Sequence, residues 1–176
     1  MSLRGLLARL RAAFDGVGVP FVIGGSFALA ACGVPRLTRD VDVMVIAPDL
    51  TPVHRAMQAA RFEWINEVTF RDDETGLLVD IIPIEDAAQR HAFESAVLTP
   101  FDGGVEVRTL TAEGCCIMLL REATIGEPKR WPLRLRDIEA LALVTPLRWD
   151  EIASWARRMD YAVAYADIRA AGRPPM

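Results

Sequence analysis

The chain has 176 residues, 52% of them hydrophobic and 25% charged, with a formal net charge of −4 at pH 7. That is enough apolar material for a real core, and it excludes a disordered or fibrous chain. The mild negative charge excludes a protein that coats nucleic acid by bulk electrostatics, while leaving room for a local basic groove.

The three cysteines, Cys32, Cys115 and Cys116, have no metal-ligand spacing and read as buried apolar thiols of a reducing cytoplasm. The longest uncharged stretch, Pro20 to Pro35, is too short for a membrane span and is broken by Gly-Gly-Ser. Arginines spread through the N-terminal amphipathic pattern exclude a signal peptide. The expectation is a soluble, cytoplasmic protein without a membrane partner.

Leu3, Leu6, Leu7, Leu10 and Phe14 recur at helical spacing, which predicts a first helix over about residues 2–15. Phe21–Ile23 is a short buried strand. Gly24-Gly25 is a turn, with Ser26 capping a helix through Ala31 that Gly33-Val34-Pro35 closes. A strand Val41–Ile46 follows. Asp49, or Thr51 before Pro52, starts a helix to about Ala60. Glu63–Phe70 and Leu77–Ile84 flank the polar run RDDETG and predict a hairpin.

Residues 86–96 read as a helix, and Val97–Phe101 and Val105–Leu110 as a second hairpin around Asp102-Gly103-Gly104. From Thr111 the pattern is helical only: Glu113–Glu122, Leu133–Val144 after the loop TIGEPKRWP, then one or two amphipathic helices and a frayed GRPPM tail. The expected fold is α/β (α+β), a small mixed sheet flanked by helices. The α/β core covers 1–110, and a helical C-terminal part, 111–176, packs on it.

The stretch RLTRDVDVMV holds the strongest chemical signal. On a strand, residues two apart share a face about 6.5–7 Å apart, so Asp40 and Asp42 point the same way. Two unpaired carboxylates there would repel and be costly to desolvate. A divalent cation removes both problems. Mg²⁺ takes hard oxygen ligands and keeps positions open for substrate phosphates. Such a pair suits one or two metals in phosphoryl or nucleotidyl transfer. A third carboxylate, Asp80, is the only charge inside LLVDIIPI, and an adjacent strand would bring it beside the pair.

Upstream, Gly24, Gly25 and Ser26 lie between a strand and a helix start, where glycines let backbone approach a phosphate and free N–H groups favour anions. Arg36, Thr38 and Arg39 sit in the loop before the acids, placed for phosphate contact.

GGSFALAACGVPRLTRDVDVMV resembles the signature of the nucleotidyltransferase superfamily, the polymerase-beta-like fold. The finer pattern G-x-x-R-x-T-x-D-x-D, here Gly33, Arg36, Thr38, Asp40 and Asp42, is most similar to the AbiEii/AbiGii-type toxin nucleotidyltransferases. The likeness covers residues 20–84, with a weaker echo in LTAEGCCIMLL and RLRDIEAL.

This resemblance implies a Mg²⁺- or Mn²⁺-dependent transfer of a nucleoside monophosphate from an NTP to an acceptor hydroxyl, an EC 2.7.7-type reaction. Gly25 and Ser26 match the phosphate-binding turn. Asp40 and Asp42 match the metal ligands, and Asp80 matches the third acid, which activates the acceptor hydroxyl. Asp137 matches an acid of the helical part. The chain departs from the pattern in one place: where relatives carry a lysine on the first C-terminal helix, it has Met118-Leu119-Leu120-Arg121. Lys129 lies beyond that helix, and Arg121 is displaced from the matching place.

The acceptor is left open among a tRNA end, a protein and a small molecule such as an antibiotic, and a cognate toxin or antitoxin is the expected protein partner. The alternative is a catalytically inactive binding protein of this fold, or an antitoxin-like partner.

Four other features complete the reading. Arg130, Arg134 and Arg136 form a basic patch around Trp131, suited either to guiding a polynucleotide or triphosphate or to a solvated helix start. Trp131, Trp149, Trp155, Tyr161 and Tyr165 are suited to stacking a base or substrate ring, but read first as packing of the helical half against the sheet. His54 and His91 are isolated. Asp72-Asp73-Glu74 reads as an acidic turn that needs no function.

Overall fold

A computed structural model describes residues 3–101, 104–125, 131–161 and 165–166. In chain order the elements are α1 (Leu3–Val17), β1 (Phe21–Ile23), α2 (Gly25–Ala31), β2 (Asp40–Val45), α3 (Thr51–Ala59), β3 (Phe62–Trp64), β4 (Thr69–Asp72), β5 (Leu78–Pro83), α4 (Ala87–Glu94), β6 (Val97–Phe101), β7 (Val105–Thr109), α5 (Ala112–Ile125), α6 (Trp131–Val144) and α7 (Trp149–Arg158). Among the described residues the strands form one seven-stranded mixed sheet, ordered β3-β4-β5-β2-β1-β7-β6. β2 runs parallel to β5 and antiparallel to β1, and β1 runs parallel to β7.

The period-2 pattern of β2 decides what lies on each face. Val41, Val43 and Val45 are fully buried and join Leu6, Leu7, Leu10 and Phe14 of α1 and Val53 and Met57 of α3. Met44 points the other way, into a core with Leu120, Ile138, Leu141 and Ile152 of the C-terminal helices. Full burial of each such side chain contributes roughly 1.5–3 kcal/mol. β2 is therefore clamped between two layers.

Several boundaries differ from expectation. α1 runs on to Val17 and is stopped by Gly18 at φ +66°. The N-cap of α2 is Gly24, not Ser26, which lies inside the first turn; no side chain caps this helix. Glu63–Phe70 is not one strand. The Asn66 side-chain oxygen accepts from the N–H groups of Val68 (3.0 Å) and Thr69 (2.9 Å), so the chain turns there and β3 and β4 pair as a hairpin of their own. β4 then pairs with β5 across the RDDETG run.

α5 continues to Ile125, and α6 already begins at Trp131. Lys129, Arg130 and the GRPPM tail lie outside the described residues. Among the described residues no helix is long and apolar enough to cross a membrane.

The acidic turn does have a structural function. Asp72 is fully buried, accepts from the Thr75 N–H (2.9 Å) and hydroxyl (2.6 Å), and pairs with Arg9 of α1. Glu74 pairs with the same arginine at 2.7 Å. These contacts tie α1 to the turn between β4 and β5. Trp155 and Tyr161 are buried in the helical half, as packing requires.

Candidate functional site

The parallel register of β2 and β5 sets Asp42 directly beside Asp80, on the face opposite the buried valines. The row extends in both directions. Thr69 of β4 is opposite Asp80, and its hydroxyl donates to Asp80 Oδ1 at 2.7 Å. On the other side Ile23 pairs with Val43, and the next residue, Gly24, donates its N–H to the Asp42 carbonyl at 2.8 Å. Asp40 lies two residues before Asp42 on the same face, and the Thr38 hydroxyl donates to its carboxylate. The structure thus brings Asp40, Asp42 and Asp80 together through strand geometry alone.

Gly25 is needed for two reasons. Its φ is +52°, a conformation that L side chains rarely adopt, and a Cβ there would stand 1.7 Å from Asp42 Oδ2. The start of α2 is therefore laid directly against the Asp42 carboxylate. Amides in the first turn of a helix lack intrahelical acceptors.

These residues line a cleft of about 480 Å³. Gly25, Ser26, Thr38, Asp40, Asp42 and Asp80 form its floor, with Arg36, Leu37 and Arg39 on one side. Gly24 is buried just behind it. The wall is the α5 face of Cys115, Met118, Leu119 and Glu122, with Leu133 and Arg134 of α6.

Burial pushes the Asp42 carboxyl up to about 7, with Asp40, Asp80 and Glu122 adding repulsion that Arg134 partly offsets. Three hard oxygen donors, one of them raised that far by burial and then by the charge of the other two, are a set a divalent cation fits. The side chains have not gathered around a point: among the described residues no three Asp, Glu, His or Cys groups already make a metal cage. Asp40 and Asp80 are instead held by Thr38 and Thr69.

The arginines behave differently from one another. Arg36 pairs with Asp137 of α6, which is 6% exposed, and so ties the loop before β2 to the helical half. Burial lifts the Asp137 carboxyl even with Arg36 and Arg134 beside it. Arg39 is exposed at the rim. Arg121 faces away from the cleft, bonded to Asp86 at 2.5 Å and near Glu85 at 3.7 Å.

The motifs mark none of these wall residues, and two of them, Glu122 and Arg134, are charged. The signal for Glu122 was available: Cys115, Met118, Leu119 and Glu122 stand at i, i+3, i+4 and i+7, one stripe of α5 that excludes Arg121. Arg134 was recognised only as part of a basic patch.

No protein-family model matches the chain, and no curated protein does. Solved structures do. The solution structure of the antibiotic-resistance factor ANT(2'')-Ia aligns over 91% of this chain and 94% of its own, with a TM-score of 0.60 and 22% identity. The crystal structure of ANT(2'')-Ia in complex with adenylyl-2''-tobramycin aligns over 96% and 98%, with a TM-score of 0.56 and 19% identity. The lincosamide antibiotic adenylyltransferase LnuA, lincomycin-bound, aligns over 82% and 99%, with a TM-score of 0.49 and 14% identity. The chain has the mixed α/β fold of the ANT(2'')-Ia structures over nearly its whole length.

Proposed function

We propose that the cleft moves a nucleoside monophosphate from an NTP to a hydroxyl group of a small-molecule acceptor. The observation that carries this reading is the register of Asp42 beside Asp80, with Asp40 on the same face, under a helix start that presses on Asp42. Asp40 and Asp42, with Asp80, hold Mg²⁺ or Mn²⁺. When bound, the ion neutralises the carboxylates and the triphosphate and makes the α-phosphorus more electrophilic.

The backbone of Gly24, Gly25 and Ser26 takes the phosphate tail, with Thr38 and Arg39 at the loop side. Arg36 acts through Asp137 by fixing that loop. Asp80, steadied by Thr69, accepts the proton of the acceptor hydroxyl. The acceptor oxygen then bonds to the α-phosphorus, the bond to the bridging oxygen breaks, and pyrophosphate leaves.

A small acceptor is favoured over a tRNA end or a protein on two grounds. The cleft volume of about 480 Å³ is in the range of small-molecule sites. The same fold has been solved with adenylyl-2''-tobramycin in ANT(2'')-Ia. A toxin–antitoxin role rests on the Gly33-to-Asp42 motif.

The test is partition of label. The protein is incubated with α-labelled NTPs, Mg²⁺ and a lysate supplemented with hydroxylated antibiotics, and the RNA, protein and small-molecule fractions are separated. Label should enter the small-molecule fraction and disappear with Asp42→Ala. Label in RNA or protein would overturn the acceptor class. Equal labelling by Asp42→Ala would overturn the mechanism.

A further inference from the structure

The cleft needs a cation for a triphosphate, and the helix expected to provide one does not. The face of α5 that meets the cleft presents Met118 and Glu122, while Arg121 is engaged with Asp86 on another side. Arg36 is committed to Asp137. Arg134, from the first turns of α6, does reach the cleft. Its Nη2 lies 2.5 Å from Glu122 Oε2, and its side chain is 23% exposed. Its Nε is buried without a hydrogen-bond partner among the described residues.

A guanidinium is a planar fork made for two parallel bonds to one oxyanion. Here one tine is occupied by a carboxylate and Nε is not satisfied. The Glu122 carboxylate is 42% exposed, and so half-exposed a pair contributes at most about fivefold to an equilibrium. A triphosphate oxygen pair that satisfied both Nε and Nη2 would outcompete it.

We propose that Arg134 grips the triphosphate from the wall opposite Arg39, and that Glu122 is its placeholder, which holds the guanidinium over the cleft until the nucleotide displaces it. This rests on the nucleotidyl-transfer reading above. The function expected of an α5 lysine is thereby moved to α6, and Glu122 keeps the site electrically closed while no nucleotide is present.

The experiment is a double-mutant cycle of nucleotide binding: wild type, Arg134→Gln, Glu122→Gln and the double variant, titrated calorimetrically with the α,β-methylene analogues of the four NTPs in Mg²⁺. Arg134→Gln should weaken binding about tenfold or more. Glu122→Gln should tighten it by up to about fivefold when Arg134 is present, and leave it unchanged when residue 134 is glutamine. Equal affinity of Arg134→Gln and wild type overturns the proposal. So does a Glu122→Gln gain that persists in the double variant, since that is simple relief of repulsion.

Should Arg134→Gln not fold, Arg134→Lys keeps the charge and removes the fork. Weaker binding by the folded lysine variant supports the assignment, and wild-type affinity overturns it. Failure of the wild type to bind any analogue overturns the transfer reading and this proposal together, whereas a normal wild type with an indifferent Arg134 overturns this proposal alone.

Discussion

A Cβ on residue 25 would stand 1.7 Å from Asp42 Oδ2, so the turn before α2 and the central acid of the cleft occupy interlocking space. Gly25→Ala must move one or the other. A shift of about 1 Å at a reacting centre costs on the order of 100-fold in rate. The positive φ adds roughly 1–3 kcal/mol of strain. Gly76 is the control: its φ is +72°, but nothing lies within 4 Å of a Cβ there. Gly76→Ala should lose only the strain share of that stability and keep its activity. Thermal unfolding and initial transfer rates of both variants check this.

Asp42 should make the metal-free protein sensitive to pH. Burial, then Asp40 and Asp80, raise its folded carboxyl to about 7, against roughly 3.9 when unfolded. Between these values the folded form holds a proton that the unfolded form has lost, so stability falls as pH rises through that window. The whole effect is at most on the order of 4 kcal/mol. With chelator present, Asp42→Asn should be more stable than wild type at pH 8 and nearly equal to it at pH 5. An asparagine variant destabilised equally at both would contradict the electrostatic account.

The Arg36–Asp137 pair joins the loop before β2 to α6. Arg36→Ala leaves a buried carboxylate without its partner, which costs about 3 kcal/mol. Asp137→Asn in that background should recover a large part of the loss, because an amide is cheaper to bury unpaired than an ion. Urea unfolding of the single and double variants measures it.

Asp72 should stabilise the fold without touching the site. Burial alone would raise its carboxyl, but the Thr75 and Arg9 hydrogen bonds outweigh that and hold it below the ordinary value. Its contribution is therefore complete above the unfolded pKa of roughly 3.9 and is lost as pH falls through the lower folded value. Asp72→Ala should cost about 2–4 kcal/mol at pH 7 and leave nucleotide affinity unchanged. Denaturation midpoints and binding isotherms of the same preparation separate the two.

The fold and its acidic floor were legible because they follow from period and local chemistry. Alternation placed Asp40 and Asp42 on one face, and a lone acid in LLVDIIPI marked β5. What the sequence hid depends on long-range contact. The Asn66 turn broke a run that looked like one strand, since a single side chain satisfied two backbone donors. The partner of Arg36 is 101 residues away and is revealed only when α6 packs. Asp72 read as part of a turn that needs no function because its cation comes from α1, 63 residues earlier. Glu122 could have been found by projecting α5 onto a helical wheel, whereas the reach of Arg134 depends on how α6 crosses α5.

Nucleotidyl transfer is tested most directly by the position of the label. Purified protein is given one NTP labelled at the α-phosphate or the γ-phosphate, with Mg²⁺ and a hydroxylated acceptor. With this mechanism α-label joins the acceptor and γ-label leaves in pyrophosphate, and both are lost in Asp42→Ala. Transfer of γ-label to the acceptor, or α-label transfer that survives Asp42→Ala, would contradict it.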